Sequence, residues 1–176
     1  RHHGRTRAGR SLTGVGMTKH TISVLVQNRF GVLARIAGLF SGRGFNIDSL
    51  NVCPTQDEAL SRMTIVTHGD AAVLEQIEKQ LTKLVEVVKV TDLTGSGFVS
   101  RELMLVKVRT DCDSRNDIIQ FANIFKANVV NVEHESLVIE VTGPTAKLDA
   151  FVGLMEKYGI VELARTGRVA LVRSSE

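Results

Sequence analysis

Two asparagines and a glycine in the first third of the chain have the types and spacing of a site for a small zwitterion. Asn28 and Gly31 lie where a strand-like run gives way to a predicted helix, and Asn46 follows that helix. The first N–H groups of a helix lack intrahelical partners, and the helix dipole favours an anion there. Glycine allows a carboxylate to approach closely, and an asparagine carbonyl can accept from an ammonium group. The three residues predict a site for a free amino acid.

Apolar neighbours of these residues indicate the side chain of the ligand. Val32, Leu33 and Ile47 adjoin the polar groups and would suit an aliphatic side chain. The ligand that fits best is therefore a branched-chain amino acid. A simpler interpretation stays open, because asparagine before a helix is commonly only a cap, and Gly31 could be only a turn glycine.

Catalytic and metal-binding chemistry finds little support elsewhere in the chain. No serine, histidine and aspartate form a recognisable local signature, and no phosphate loop of the Walker type occurs. We expect surface or turn histidines rather than metal ligands at His20, His68 and His134. We expect Cys53 and Cys112 to be small buried or half-buried residues rather than nucleophiles. The chain alone is therefore predicted to have no enzymatic activity and no metal.

The charge distribution argues against nucleic acid as a partner. The net charge is +3, but residues 1–16 contain four arginines and no acidic residue and so contribute +4 by themselves. The remaining chain has a balance of −1, which does not fit a basic nucleic-acid-binding surface.

No apolar run reaches the roughly 18 residues of a membrane span. The few cysteines and many acidic residues suit a reduced intracellular setting.

The proposed site needs a strand, a helix and a second strand in succession, and the hydrophobic pattern of the first half supplies them. Strands are predicted at 21–27, 45–52, 60–67 and 85–91. One helix is predicted between the first two strands and another between the last two. The order βαββαβ predicts a four-stranded antiparallel sheet with both helices on one face, the ferredoxin-like plan. We expect a partner subunit to cover part of the other face.

The second half repeats this order of elements, although the residues do not visibly repeat. Strands are predicted at 103–109, 129–132, 137–141, 160–166 and 169–172. The helix after the first of these is expected to be capped by Asp113 or Ser114. We therefore predict an α+β protein with two ferredoxin-like domains. Its predicted divisions are an expression tag or upstream extension at 1–16, a first domain at 17–93, a linker at 94–100 and a second domain at 101–176.

Two longer strings resemble one protein family. Residues 28–36, Asn-Arg-Phe-Gly-Val-Leu-Ala-Arg-Ile, resemble the opening of ACT domains, which are βαββαβ modules that bind amino acids. Residues 39–50, Leu-Phe-Ser-Gly-Arg-Gly-Phe-Asn-Ile-Asp-Ser-Leu, resemble more closely the regulatory subunit of acetolactate (acetohydroxyacid) synthase. Similar strings occur at 60–65, 76–85, 101–108 and 162–167, so the resemblance covers both predicted domains. One departure is Arg29-Phe30, where ACT domains often have a proline before the glycine.

The resemblance implies a non-catalytic regulatory subunit. Members of this family bind a catalytic subunit, raise its activity and confer feedback inhibition, usually by valine. Thiamine diphosphate, Mg²⁺ and FAD are carried by the catalytic subunit, so no cofactor is expected in this chain. The ACT domains of the family form homodimers with their sheets side by side and hold the effector at the interface. The resemblance places Asn28, Gly31, Val32 and Leu33 in one subunit, with Asn46 and Ile47 contributed by its partner.

Two other functions remain as alternatives. A free-standing ACT-domain regulator acting on transcription would need a DNA-reading element, and residues 17–176 show neither a helix-turn-helix signal nor a basic stripe. A metal sensor built on the second domain would need more ligands than His134 and Cys112 provide. The expected location is the cytoplasm, or an organellar stroma if the source is a plant or alga.

Overall fold

Two antiparallel sheets, each with two helices, form the part of the chain that this computed structural model describes, residues 18–173. The first unit consists of β1 (Thr18–Gln27), α1 (Val32–Gly42), β2 (Ile47–Pro54), β3 (Leu60–Gly69), α2 (Ala71–Leu81) and β4 (Val87–Asp92). The second unit consists of β5 (Phe98–Arg109), α3 (Ser114–Ile124), β6 (Asn128–Val132), β7 (Ser136–Gly143), α4 (Thr145–Met155), β8 (Ile160–Arg165) and β9 (Val169–Val172). The predicted extension at 1–16 lies outside the described residues.

Both units have the strand order of the ferredoxin-like plan. The order is β2-β3-β1-β4 in the first sheet and β6-β7-β5-β8 in the second. All of these neighbouring strands pair antiparallel. The predicted fold class is therefore confirmed, and so is the repeated order of elements in the second half. Strands β2 and β4 are the two edges of the first sheet.

Alternation along the central strands places one face of each sheet against its helices. In the first unit the strands bury Ile22, Val24, Val26, Met63 and Ile65, and the helices add Ile36, Phe40, Ile77 and Leu81. In the second unit the corresponding strand residues are Met104, Val106, Val108, Leu137, Ile139 and Val141. Each unit therefore has its own apolar core on the helix side of its sheet.

Strand β5 begins earlier than the sequence predicts. It starts at Phe98, inside the segment 94–100 that was predicted as a linker, and residues 98–101 pair with β9. The rest of β5 pairs with β7 and β8. The local sequence around Gly97 resembles a flexible break, and the strand forms there because a distant segment of the chain supplies hydrogen-bond partners. We call residues 98–101 together with β9 the ribbon.

The helix-free face of the first sheet is partly covered by the second unit of the same chain. Thr21 and Thr64 lie on this face and are nevertheless buried. The turn between β8 and β9 packs here, because Arg168 Nη1 donates to Oγ1 of Thr21 at 2.7 Å. We expected a partner subunit to cover part of this face. The second unit of the same chain covers some of it instead.

Several cysteine and histidine positions differ from the predictions. Cys53 and Cys112 are exposed, because Cys53 lies near the end of edge strand β2 and Cys112 lies in the turn before α3. His20 is buried rather than at the surface, and its Nε2 lies 3.2 Å from the carbonyl of Gly69.

Among residues 18–173, no group of three or more histidine, cysteine, aspartate or glutamate side chains could hold a metal ion. No helix in that range is long and apolar enough to cross a membrane.

Candidate functional site

Asn28 is the first residue after β1 and is held by the loop between β2 and β3. Its backbone N–H donates to the carbonyl of Ala59 at 2.8 Å, and its side-chain Nδ2 donates to the carbonyl of Glu58 at 2.9 Å. The side chain bonds no N–H group of α1, so Asn28 is not the helix cap of the simpler interpretation. Its side-chain carbonyl is free to accept a hydrogen bond, since Asn28 is exposed and the amide N–H already has its partner.

Helix α1 begins without a side-chain cap. Gly31 is its N-cap residue, no side chain bonds the first N–H groups, and the first turn contains no acidic residue. The backbone of Gly31 has a φ of +85°, in the left-handed region that glycine adopts at little cost. At α2, by contrast, Asp70 accepts a hydrogen bond from the N–H of Val73 at 2.8 Å. The N-terminus of α1 therefore offers open donors and a favourable dipole to an external carboxylate.

The corresponding helix of the second unit, α3, has a carboxylate of its own at this place. Asp111 accepts from the backbone N–H groups of Asp113 at 3.1 Å and of Ser114 at 2.7 Å. Hydrogen bonds from Ser114 hold the pKa of the Asp111 carboxyl below its usual value. Of the two predicted caps, Asp113 and Ser114, Asp113 is indeed the N-cap residue, but its side chain makes no capping hydrogen bond. The helix N-terminus that lacks a capping side chain in α1 is thus occupied by the Asp111 carboxylate in α3.

The three apolar residues of the predicted site differ in what they can offer a ligand. Val32 is 5% exposed and its side chain packs in the first core, so only its backbone is available at the start of α1. Leu33 is 42% exposed on the outer side of the helix. Ile47 is half-buried at the margin of the same core. The structure therefore corrects the prediction that the Val32 side chain would face a ligand.

Asn46 lies between α1 and β2 in a polar cluster that sequence reasoning did not identify. Its backbone carbonyl accepts from Oγ1 of Thr67 at 2.5 Å, and its side-chain Nδ2 donates to Oδ1 of Asp48 at 2.7 Å. The same Asp48 carboxylate lies 2.9 Å from Nδ1 of His68. The pairing of His68 with Asp48 could not be read from the sequence, because it depends on how β2 and β3 are aligned. Asn46 itself is exposed and accessible to a ligand.

The structure does not bring Asn28 and Asn46 together within one chain. Ile47 is aligned with Thr67, and Thr67 with His20 near the start of β1, whereas Asn28 follows the far end of that strand. His20, at the level of Asn46, and Asn28 are eight residues apart along the chain. This separation is roughly 25 Å along the strand at about 3.3 Å per residue. One chain therefore places the two asparagines at opposite ends of the first sheet.

The other end of β2 lies level with the Asn28 turn. Pro54 is aligned with Ser61, and Ser61 with Val26, two residues before Asn28. Strand β2 is also an edge of its sheet, with β3 on one side and no further strand of the described residues on the other. The edge thus runs from Asn46 at its start to the level of Asn28 at its end.

Two family models match the chain, one over each unit. Residues 22–89 match the acetohydroxyacid synthase small subunit-like ACT domain, and residues 101–174 match the small subunit of acetolactate synthase. A probable acetolactate synthase small subunit of Archaeoglobus fulgidus is 54% identical over 90% of this chain and 99% of its own length. The acetolactate synthase small subunit of Mycobacterium bovis is 50% identical over 88% of this chain and 92% of its own length.

A solved structure resembles the chain over nearly its whole length. The crystal structure of the acetolactate synthase small subunit from Thermotoga maritima superposes with a TM-score of 0.83 at 42% sequence identity. The match covers 90% of this chain and 99% of that one. The similarity therefore extends across both units rather than being confined to the first.

Proposed function

The chain belongs to the family of acetolactate synthase small subunits, and on that basis we propose that it is a non-catalytic regulatory subunit of such an enzyme. It binds the catalytic subunit, raises its activity and makes that activity sensitive to valine. Thiamine diphosphate, Mg²⁺ and FAD belong to the catalytic subunit, and this chain carries none of them. The holoenzyme works in the cytoplasm, in the synthesis of branched-chain amino acids.

The observation that carries the effector site is the uncapped start of α1. A valine carboxylate accepts from the first N–H groups of the helix, where Gly31 leaves room for close approach. The side-chain carbonyl of Asn28 accepts from the ammonium group, in an orientation fixed by its bond to Glu58. Leu33 offers an exposed aliphatic surface beside these groups. The helix N–H groups thus face the negative carboxylate, and the Asn28 carbonyl oxygen faces the positive ammonium group.

A second copy of the chain completes this site. Antiparallel pairing of two β2 edges around a two-fold axis lays the start of one strand beside the end of the other. Asn46 of the partner subunit then comes to the level of the Asn28 turn, since the end of β2 lies two residues from it in the register. Ile47 accompanies Asn46 and adds aliphatic surface. The two-fold symmetry produces two equivalent sites per dimer.

Inhibition follows if the two sites bind valine better in one dimer geometry than in another. A ligand shifts an equilibrium between two states only by its difference in affinity for them. Couplings of about 1–3 kcal/mol are typical and change an affinity by roughly 5- to 150-fold. A site shared between two subunits meets this requirement, because any change in their relative position alters the distance between its halves.

Reconstitution with the catalytic subunit tests the proposed function. Adding this chain to the purified catalytic subunit is expected to raise acetolactate formation, and adding valine should then lower it. Isoleucine and leucine in parallel assays establish which branched-chain amino acid is preferred. An absence of copurification and of activation would instead favour a free-standing ACT-domain regulator.

A further inference from the structure

The turn between β8 and β9, residues 166–168, approaches the first unit very closely. Gly167 has a φ of +78°, and a Cβ there would lie 3.0 Å from the Cβ of Ser49 in β2. A larger residue is therefore disfavoured both by the backbone conformation and by the lack of space. The turn packs against β2 at Ser49, three residues beyond Asn46.

Arg168 extends this contact into a bridge between the two units. Its Nη1 donates to Oγ1 of Thr21 in β1 at 2.7 Å, and its Nη2 donates to Oγ1 of Thr145 at the start of α4 at 3.1 Å. Among residues 18–173 its buried Nε has no hydrogen-bond partner, and the two threonine hydroxyls hold the guanidinium through its Nη atoms. Because the guanidinium is a rigid fork of donors, it fixes the direction of both acceptors.

The bridge ends in a partly buried ionic network of the second unit. Oγ1 of Thr145 donates to Oε1 of Glu102 at 2.6 Å, and Glu102 is only 7% exposed. Oε2 of Glu102 lies 3.1 Å from Nη2 of Arg165, whose Nη1 lies 2.7 Å from Oδ1 of Asp149 in α4. A buried carboxylate is costly unless it is paired and hydrogen-bonded. The network therefore holds β5, β8 and α4 in one arrangement.

The turn that carries Arg168 lies close to the strand that follows Asn46. The pairing register between β2 and β3 shifts between Ile47 and Ser49, and Asp48, the residue at this shift, accepts from Asn46 at 2.7 Å. Such irregularities bend a strand and redirect its side chains. Asp48 and Ser49 line one cavity, of about 390 Å³, together with the 166–168 turn. A displacement of Asn46 would therefore reach the turn through Asp48 and Ser49.

We propose that Arg168 is a positioning residue that couples the Asn46 half of the effector site to the second unit. The identity of the effector rests on the proposed function, whereas the bridge itself does not. Movement of β2 on effector binding displaces Ser49, and with it the turn that packs against this residue. The guanidinium of Arg168 then carries the displacement to α4. The second unit thus responds to the occupancy of a site in the first.

Hydrogen exchange and calorimetry on the full-length chain test this coupling. Thr21→Val removes the acceptor on β1 but keeps the branched shape that suits a strand, and Arg168→Lys keeps the charge but loses the fork. Each variant is expected to exchange amides at least about fivefold faster in segments 46–50 and 145–149, with the protection of the two cores retained. Each should also bind valine at least about fivefold more weakly.

Arg173→Ala is the matched control. Arg173 is exposed and follows β9, and its backbone N–H, not its side chain, bonds Gly97. This variant should leave both exchange and valine affinity unchanged.

The outcomes separate the coupling from the proposed function. Unchanged exchange in Thr21→Val, or a uniform rise over the whole chain, overturns the coupling role. Wild-type valine affinity in both bridge variants also overturns it and leaves the proposed function intact. A wild-type chain that binds no branched-chain amino acid contradicts the proposed function, and the exchange measurements then still decide whether the bridge exists.

Discussion

The proposed effector turn depends on a backbone conformation that few side chains tolerate. Gly31 has a φ of +85°, and apart from its two chain neighbours no atom of the described residues lies within 4 Å of the place where a Cβ would be. The preference for glycine at this position therefore comes from the backbone conformation rather than from crowding. Asn28 has a complementary role, because its amide is held by Glu58 and its carbonyl remains available.

Replacing Gly31 by aspartate should abolish the valine response. The left-handed conformation costs an L-residue about 1–2 kcal/mol, and the new carboxylate competes with the carboxylate of valine at the helix N-terminus. Since 1.4 kcal/mol corresponds to a factor of ten, the affinity for valine in calorimetry is expected to fall at least about tenfold. Activation of the catalytic subunit should persist.

Gly38→Ala is the matched control for this prediction. Gly38 lies within α1, and an added Cβ there would meet nothing within 4 Å. Alanine at a helical position stabilises a protein by roughly 0.5–1 kcal/mol relative to glycine. Calorimetry should therefore give wild-type valine affinity in this variant. A Gly31→Asp variant with the valine affinity of Gly38→Ala would show that the start of α1 is not the carboxylate site.

Among the elements, α3 provides a clear test of capping, because two nearby aspartates differ in role. Asp111 bonds the N–H groups at the start of the helix, whereas Asp113 makes no capping bond. Asp111→Ala should lower the denaturation midpoint of the second unit at pH 7, and Asp113→Ala should change it much less. Equal losses in the two variants would contradict the assignment of the cap to Asp111.

The contribution of Asp111 should also depend on pH in a defined direction. Hydrogen bonds from Ser114 lower the pKa of its carboxyl in the folded chain below the ordinary value of 3.8. A lowered pKa means that the stabilisation is fully present above the unfolded value and is lost as pH falls through the folded one. The difference between wild type and Asp111→Ala, measured by denaturant unfolding, should therefore be constant from pH 7 to about pH 5 and shrink below pH 3.8.

The elements themselves could be predicted well from the sequence, because local patterns determine most of them. The alternation of Ile22, Val24 and Val26 and the helical stripe that includes Ile36 and Phe40 predicted β1 and α1, and both are present. The strand at 98–101 was missed because it exists only through pairing with β9. The N-cap residue of α3, Asp113, was among those predicted, but the capping carboxylate was missed because Asp111 lies two residues before it.

The candidate site could be predicted only as a set of residue types. Helix α1 starts at Gly31 without a side-chain cap, and ligand binding by Asn28 and Gly31 stays a prediction. The burial of the Val32 side chain and the pairing of Asp48 with His68 could not be foreseen, because they depend on packing and strand register. The separation of the two asparagines along β1 follows from the same register. The proposed site therefore needs a second chain to bring the two asparagines together.

In the whole molecule, edge strand β2 is an open surface of the first unit and lies at the proposed dimer contact. The helix-free face of the sheet is partly covered by the 166–168 turn, whereas β2 has no strand of the described residues on its outer side. Phe30 is fully exposed beside the effector turn, with a relative accessibility of 109%. An aromatic side chain in this position has apolar surface to bury against a second copy.

Phe30→Glu should weaken the dimer without destabilising the single chain. Full burial of a phenylalanine is worth about 1.5–3 kcal/mol, so sedimentation should show a dissociation constant raised at least about tenfold. Val85→Glu is the control, since Val85 is also exposed but precedes β4, the opposite edge of the sheet. Equal effects of the two variants on dimerisation would contradict the use of the β2 edge.

Calorimetry on hybrid dimers tests most directly whether the effector site is shared between two chains. A dimer of one Asn28→Ala chain and one Asn46→Ala chain contains one site with both asparagines and one with neither, if each site takes one asparagine from each chain. We predict that this hybrid binds one valine with wild-type affinity, whereas both parent homodimers bind valine at least about tenfold more weakly. A hybrid that recovers no high-affinity site would contradict the shared site, because each chain would then have to supply both asparagines itself.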